Sequence, residues 1–464
     1  MIYDYMIDYH KKNMYPFHMP GHKRFPHPIF QNVHPFEIDY TEVDGLDDLN
    51  EPEEMFRESM DKAKAFYGTK ETYYLVNGST SGIMAAISAT CSHGDYIIVS
   101  RNCHKSVYKA IELLGLHPIY IYPQTDCETG IVTHINLCEV KKCVDNYPDA
   151  KAMMLVSPTY EGNVMDIKAI KEIAGDIPLI VDEAHGAHFP FWDENDAKSA
   201  IHLGADIVIQ SLHKTMPAFT QTALLHVCSN QVPLSKIKES LSYFQTTSPS
   251  YLFSASIDYA ISYGITNQNA FHAYGKKMKE YRNSLNMILR NIKLVEVDDP
   301  GKLVISTAKS TMTGQEIYDI LLKDYRLQME MAQEEYVLAM TSICDSDEAF
   351  DWLREALIKI DGQTEAKKDQ YLISGFPVNE IVDSPYNAKR WEARSIEIEN
   401  SIGKISTEYV YLYPPGIPLI VPGERINEAC IKKIHEYYKK RLKVKGFEGY
   451  QEGIIKVKNE HVMK

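Results

Sequence analysis

Ala205-Asp-Ile-Val-Ile-Gln-Ser-Leu-His-Lys214-Thr215 decides how this chain is read. It has the pattern of a buried strand that ends by presenting one lysine beside a histidine and hydroxyls. An earlier stretch, Pro178-Leu-Ile-Val-Asp182-Glu-Ala-His185, is a second apolar strand that ends on an aspartate. A lysine after an apolar run is also an ordinary strand terminus with a solvated side chain. The pair therefore takes its meaning from the chain around it.

Working outward, helices and short apolar strands alternate from residue 52. Pro52–Tyr67 reads as a helix, with proline in its first turn and Gly68 past its end. Strands are expected at 72–76, 96–100, 118–122, 152–156, 179–181, 206–210 and 222–227, with helices at 81–91, 107–114, 137–146, 167–174 and 197–203 between them. Strands that are apolar on both faces and separated by helices indicate a mostly parallel sheet covered on both sides. Residues 55–290 are thus expected to form one large α/β domain, whose site lies at the carboxyl ends of the strands. A long helical stretch, 256–289, completes it.

Strands at 302–307 and 336–341 around a helix at 314–323 indicate a small α/β domain over 291–361. Residues 362–464 form a C-terminal domain. It contains the Pro/Gly-rich turn Tyr413-Pro-Pro-Gly-Ile-Pro-Leu-Ile-Val-Pro-Gly-Glu424 and a helix at 426–442. Residues 1–54 show no sustained period but carry many aromatics, as expected of an arm docked on the rest.

The bulk numbers exclude several classes. A formal charge of −14 argues against a nucleic-acid surface, which needs a basic excess. No apolar run is long enough for a membrane helix. Met1-Ile-Tyr-Asp-Tyr-Met lacks a signal-peptide layout. The eight cysteines are scattered without a CxxC, as expected of free thiols in the cytoplasm.

The expected strand ends converge chemically. Asn77-Gly-Ser79-Thr80-Ser-Gly82 lies between a strand and a helix, where backbone N–H groups and hydroxyls can hold an anion. It is equally a plain strand–helix turn. His104 follows the next strand and Tyr160 a third. His185 and His188, three apart near carboxylates, raise a metal reading, but no third ligand stands out and Lys214 would be left without a role. No metal site is therefore expected. Hydroxyls for a phosphate, Asp182 for a protonated ring nitrogen, Ala184 under a flat ring, His104 over it and Lys214 for an aldehyde together fit pyridoxal 5'-phosphate.

The motifs FHMPGHK, TEVDGLDDLN, NGSTSG, RNCHKS, SPTYEG, VDEAHGAH, SLHKT, QTTSPSYLFSAS and YPPGIPLIVPGE also resemble those of the bacterial ornithine/lysine/arginine decarboxylases, in order over residues 15–430. The likeness is to the short form that lacks an N-terminal wing domain. It implies a fold-type-I (aspartate-aminotransferase-like) enzyme with a mostly parallel sheet domain and smaller α+β C-terminal domains. It further implies that Lys214 bonds covalently to the cofactor, Asp182 pairs with its ring nitrogen and His104 stacks on it. Ser79, Thr80, Ser211 and His213 would bind phosphate, and Lys214 or His213 would return a proton to Cα. Thr247, in Thr246-Thr-Ser-Pro249, would reach the partner subunit's cofactor, making the active unit a homodimer or higher homo-oligomer with shared sites. Glu330 would meet the distal cation of a small basic amino acid, with the Asp44/Asp47/Asp48 arm as a second candidate. Asp44 stands where the family has proline, and Arg326-Leu-Gln-Met also departs from its pattern.

The expected activity is decarboxylation of arginine, with lysine or ornithine as alternatives. Two rivals stay open. One is an aminotransferase or carbon–sulfur lyase on the same scaffold; an aminotransferase normally holds the α-carboxylate with an arginine, for which Arg425 is the one candidate. A catalytically silent homologue would bind amino acids without turning them over.

Overall fold

A computed structural model describes residues 1–192, 198–368, 372–413, 416–440, 442–449 and 452–460. Its centre is a seven-stranded sheet: β1 (Glu71–Leu75), β2 (Tyr96–Ser100), β3 (His117–Ile121), β4 (Ala152–Val156), β5 (Leu179–Asp182), β6 (Ile207–Gln210) and β7 (Ala223–Val227). The order across the sheet is β1-β7-β6-β5-β4-β2-β3. Only β7 runs against its neighbours, pairing antiparallel with β1 and β6. The remaining pairs are parallel.

Alternate residues of these strands enter different cores, as the two-residue period of a strand requires. Ile98, Met153, Leu155, Val181, Val208 and Leu224 pack on one face. Ile97, Val99, Met154, Ile180, Ile209 and Leu225 pack on the other. This two-sided burial makes the strands continuous apolar runs.

Helix Gly78–Thr90 lies close on the sheet because Gly82 has no side chain. A Cβ there would stand 2.6 Å from Leu75 Cδ1 and 3.2 Å from Ile209 Cγ2. Its first turn is thereby brought beside the end of β6. Gly78 itself sits at φ +76°, a backbone conformation glycine adopts without strain.

Two helical expectations need correction. The stretch 256–289 is two helices, Tyr251–Thr266 and Gln268–Asn286, which meet at Asn267. The described part of 197–203 forms turns rather than a helix, and Ala197 lies outside the described residues, as do Pro414 and Pro415 of the Pro/Gly-rich turn. Ser199 there has its side chain drawn inward to the buried Glu183 carboxylate (2.7 Å), which also accepts Ala200 N–H (2.5 Å). Those contacts compete with helical hydrogen bonding.

The smaller units pack against the large domain. Lys293–Val295, Lys302–Ser306, Met331–Ala332 and Tyr336–Met340 make an antiparallel sheet, flanked by helices Gly314–Asp324 and Asp347–Asp361. The arm is clipped to this region, since Tyr15–Phe17 pairs in parallel with Leu327–Met329. Buried Lys23 donates to the carbonyls of Pro16 (3.0 Å), His18 (3.0 Å) and Met340 (2.7 Å), which fixes the arm's path past the site. The C-terminal part has its own apolar cluster, including Val410, Ile420, Ile434 and Val457. It is tied to the end of β2 by a fully buried Arg101–Glu424 ion pair at 3.2 Å. Among the described residues no helix is long and apolar enough to cross a membrane.

Candidate active site

The carboxyl ends of β1, β2, β4, β5 and β6 open on one cavity of about 440 Å³. Ser79, Thr80, His104, Asp182, Ala184, His213, Lys214 and Glu330 all line it. Ser211 joins them indirectly, donating through Oγ to Ser79 Oγ at 2.8 Å. The turn after β6 and the first turn of helix Gly78–Thr90 are thus held together by two hydroxyls.

Lys214 enters on the short helix Leu212–Thr215 directly after β6. Burial lowers its ammonium from the usual range, while Asp182 and Glu330 pull the other way. Asp182 ends β5 and is 5 % exposed. Its carboxylate accepts the Ala184 N–H at 3.0 Å, and among the described residues no cation bridges to it. Burial raises its carboxyl above the ordinary range, partly offset by Lys214 and the Ala184 bond. A buried carboxylate in this condition is stabilised by a cation placed in the cavity.

His104 caps helix Lys105–Leu114, its Nδ1 facing Ser106 N–H (3.3 Å) and Ser106 Oγ (2.9 Å). Burial and the nearby Lys214 lower it to about 4, so the ring is neutral at pH 7. His213 is also lowered to about 4, chiefly by burial. Its Nδ1 donates to Thr222 O at 3.0 Å, which leaves Nε2 bare.

Glu330 sits between two short strands and borders the cavity from the small domain. It accepts Tyr160 O–H at 2.5 Å and Met19 N–H at 3.1 Å. Among the described residues no cation bridges to it. With Tyr413, Glu330 also lines an adjoining cavity of about 460 Å³ that contains Asp319.

Asp44 and Thr247 do not line the cavity, and both are exposed. Asp47, also on the arm, has its carboxylate occupied by the N–H groups of Asp48, Glu53, Glu54 and Phe56. The loop carrying Thr247 reaches the rim, where Thr246 N–H donates to Asn77 at 3.3 Å. Arg425 is held outside the cavity by Glu380 (2.7 Å) and Gly403 O (3.0 Å). No arginine is among the described residues that line the cavity.

Sequence reasoning missed Lys302 and the use made of His185. Lys302, 1 % exposed, places Nζ 2.9 Å from His185 Nδ1, while His185 Nε2 faces Lys214 Nζ at 3.0 Å. Gln221 was also missed. It lines the cavity at φ +85° and donates to Val76 O at 2.6 Å. The one signal for Lys302 was a charge opening an otherwise apolar strand. His188 points elsewhere, to Asp299 at 3.3 Å. Among the described residues no three potential metal-ligating side chains cluster.

A mostly parallel sheet with a lysine and an aspartate at adjacent strand ends is the fold-type-I architecture. The crystal structure of the Francisella novicida lysine decarboxylase superposes with a TM-score of 0.79 at 19 % identity, covering 93 % of this chain and 76 % of that one. The family profile described as Orn/Lys/Arg decarboxylase, major domain, matches residues 1–338, and that of the C-terminal domain matches 369–463. An arginine decarboxylase of Bacillus subtilis is 33 % identical over 468 residues, covering 96 % of this chain and 94 % of the relative. One of Bacillus anthracis is 32 % identical over 480 residues, covering 98 % and 96 %. The chain belongs to the Orn/Lys/Arg decarboxylase family, a family of carboxy-lyases.

Proposed function

We propose that the protein removes the α-carboxylate of a basic L-amino acid as CO2, with arginine the first choice of substrate and pyridoxal 5'-phosphate the cofactor. One observation carries this reading: Lys214 and Asp182 share a cavity with Glu330, a carboxylate to which no cation among the described residues forms a salt bridge. The donor set fits the cofactor. Among the described residues no cation bridges to Asp182, as expected of a partner for a protonated ring nitrogen. Ser79, Thr80, Ser211 and the first turn of helix Gly78–Thr90 supply donors for a phosphate. When bound, pyridoxal 5'-phosphate supplies an aldehyde for an amine and a ring that accepts the electron pair left at Cα.

The protein's residues do the rest. Lys214 would bond the cofactor covalently between turnovers and would be freed when substrate arrives. His104 would cover the ring from one side, and Ala184, being small, would leave room for it on the other. His213, neutral and with Nε2 bare, can accept a proton but has none to give there. That leaves Lys214 as the donor to Cα. Glu330 orients the substrate by its far end, and a guanidinium could engage both carboxylate oxygens. Thr247, exposed near the rim, suits a loop that serves a partner subunit's site in a cytoplasmic homodimer.

Product identification tests the reading. The cofactor-loaded protein, offered arginine, lysine and ornithine together, should form agmatine before cadaverine or putrescine by mass spectrometry. Keto acids would favour an aminotransferase, although Arg425 lies outside the cavity. No product at all would favour a silent homologue.

Glu330→Gln should raise KM for the preferred amino acid about 10- to 100-fold and change kcat less. A hydrogen-bonded charge is worth roughly 1.5–3 kcal/mol, and it is made in ground and transition states alike. An unchanged KM would remove Glu330 from the substrate site.

A further inference from the structure

His185 stands between two lysines, with Nδ1 2.9 Å from Lys302 Nζ and Nε2 3.0 Å from Lys214 Nζ. Burial and the two lysines push the imidazole well below its usual range, so it is neutral. A neutral imidazole accepts at one nitrogen and donates at the other, whereas an ammonium only donates. The two lysines therefore cannot both be charged while both bonds hold.

The surroundings decide which one is charged. Lys302 is faced by Asp299 and by Glu161 and Glu330, against the opposing charge of Lys214. Its ammonium is lowered to about 8, mainly by burial, and so persists at pH 7. Lys214 is faced by Asp182 and Glu330, with His185, His104 and His213 nearby. Three carboxylates thus face Lys302 and two face Lys214, which leaves Lys214 the weaker claim to a charge. The geometry then fixes each proton: Lys302 gives to Nδ1, and Nε2–H gives to the lone pair of a neutral Lys214.

We propose that Lys302 is the proton store of the active site, holding Lys214 neutral through His185 and lending it the proton that Cα takes up. This rests on the decarboxylase reading and deepens it. When the Cα–carboxylate bond breaks, its electron pair is left at Cα and CO2 departs. Lys214 gives Cα a proton to form the new C–H bond and takes one from His185 Nε2. His185 Nδ1 takes one from Lys302, which becomes an amine. The α-ammonium of the next substrate must lose a proton before its nitrogen can react. Lys214 Nζ takes up that proton as the substrate frees it, the shift runs backward, and Lys302 is recharged. No other reactant is consumed.

Two substitutions separate the two duties. In Lys302→Met the charge is gone, so Lys214 should hold its proton to higher pH. The pH midpoint for capture of pyridoxal 5'-phosphate by the apoprotein, followed by absorbance, should rise by about one unit, a roughly tenfold slower capture below it. Lys302→Arg keeps the charge but cannot release a proton. It should leave the capture midpoint in place yet lower kcat about 100-fold, the smaller end of general acid catalysis.

A purely structural Lys302 would lose both readouts together or have both restored by arginine. Wild-type kcat in Lys302→Arg, or an unmoved midpoint in Lys302→Met, overturns the proposal. Should neither variant fold, lysine 13Cε NMR of the wild-type apoprotein decides. The resonance missing from Lys214→Ala must be that of a neutral amine at pH 7, and a charged one overturns the proposal. Wild-type protein that captures no cofactor at Lys214 would instead sink the underlying decarboxylase reading.

Discussion

Lys214→Ala is expected to lower turnover at least about 10⁴-fold while leaving the fold intact. A residue that bonds the cofactor, receives the substrate's proton and returns one to Cα has no substitute among the cavity residues. Removing a nucleophile of this kind costs at least roughly 5 kcal/mol of the barrier reduction. The same change should not unfold the protein. Lys214 is a buried amine whose charged form is disfavoured by burial, and its loss leaves His185 still bonded to Lys302. The sheet beneath it is held by β6 contacts that do not involve the side chain. Two measurements separate inactivity from misfolding. The thermal transition should stay within a few degrees of wild type. Borohydride reduction should fix the cofactor's mass to the wild-type chain and not to the variant. A variant that forms amine at the wild-type rate would overturn the whole reading, not just the role of one residue.

The large domain was legible because its strands are covered on both faces. Ile180 and Val181 enter opposite cores, so the apolar run from Leu179 has no gap, and Asp182 marks where the chain leaves the sheet. Seven such runs with helices between them leave few topologies. The antiparallel β7 was not legible, because buried parallel and antiparallel strands carry the same residues. Helix Asp347–Asp361 went unread although Ser346 caps it and its apolar positions recur at helical spacing. The short strands Leu327–Met329 and Glu424–Arg425 exist only through pairing with distant segments, which no local pattern records.

The site divides along the same line. Lys214, Asp182 and His104 sit at ends of readable strands. The contact between Glu330 and Met19 depends on the arm docking beside the small domain, a long-range event. Asp44 and Asp47 looked alike as acids on the arm. In the structure Asp47 caps the turn leading into helix Met55–Tyr67, and Asp44 faces outward. Lys302 was hidden for a physical reason. A lysine at a strand's first position usually reaches solvent, and only the fold shows that this one reaches a buried imidazole instead.

Asp182→Asn is the second large effect, and it isolates charge from shape. Asparagine fills the same volume, and its Oδ1 can keep the Ala184 N–H bond, so the change removes little but the negative charge. That charge is what would hold a proton on a ring nitrogen in a dry pocket. A unit charge about 4 Å away at an effective dielectric near 20 is worth up to roughly 4 kcal/mol. That corresponds to about three pK units of lost basicity at the nitrogen. At neutral pH the proton would then be absent from most molecules, and with it the capacity to take up the electron pair left at Cα. The expected result is a fall in kcat of about 10³-fold, with KM little changed, because Asp182 does not touch the substrate's distal end. The pH profile provides the signature. The deficit relative to wild type should narrow as pH falls, because the weakened nitrogen regains its proton at higher acidity. A merely structural defect would keep the deficit constant or widen it. A variant within tenfold of wild type at pH 7, or one whose deficit ignores pH, would show that Asp182 shapes the pocket without supplying its charge.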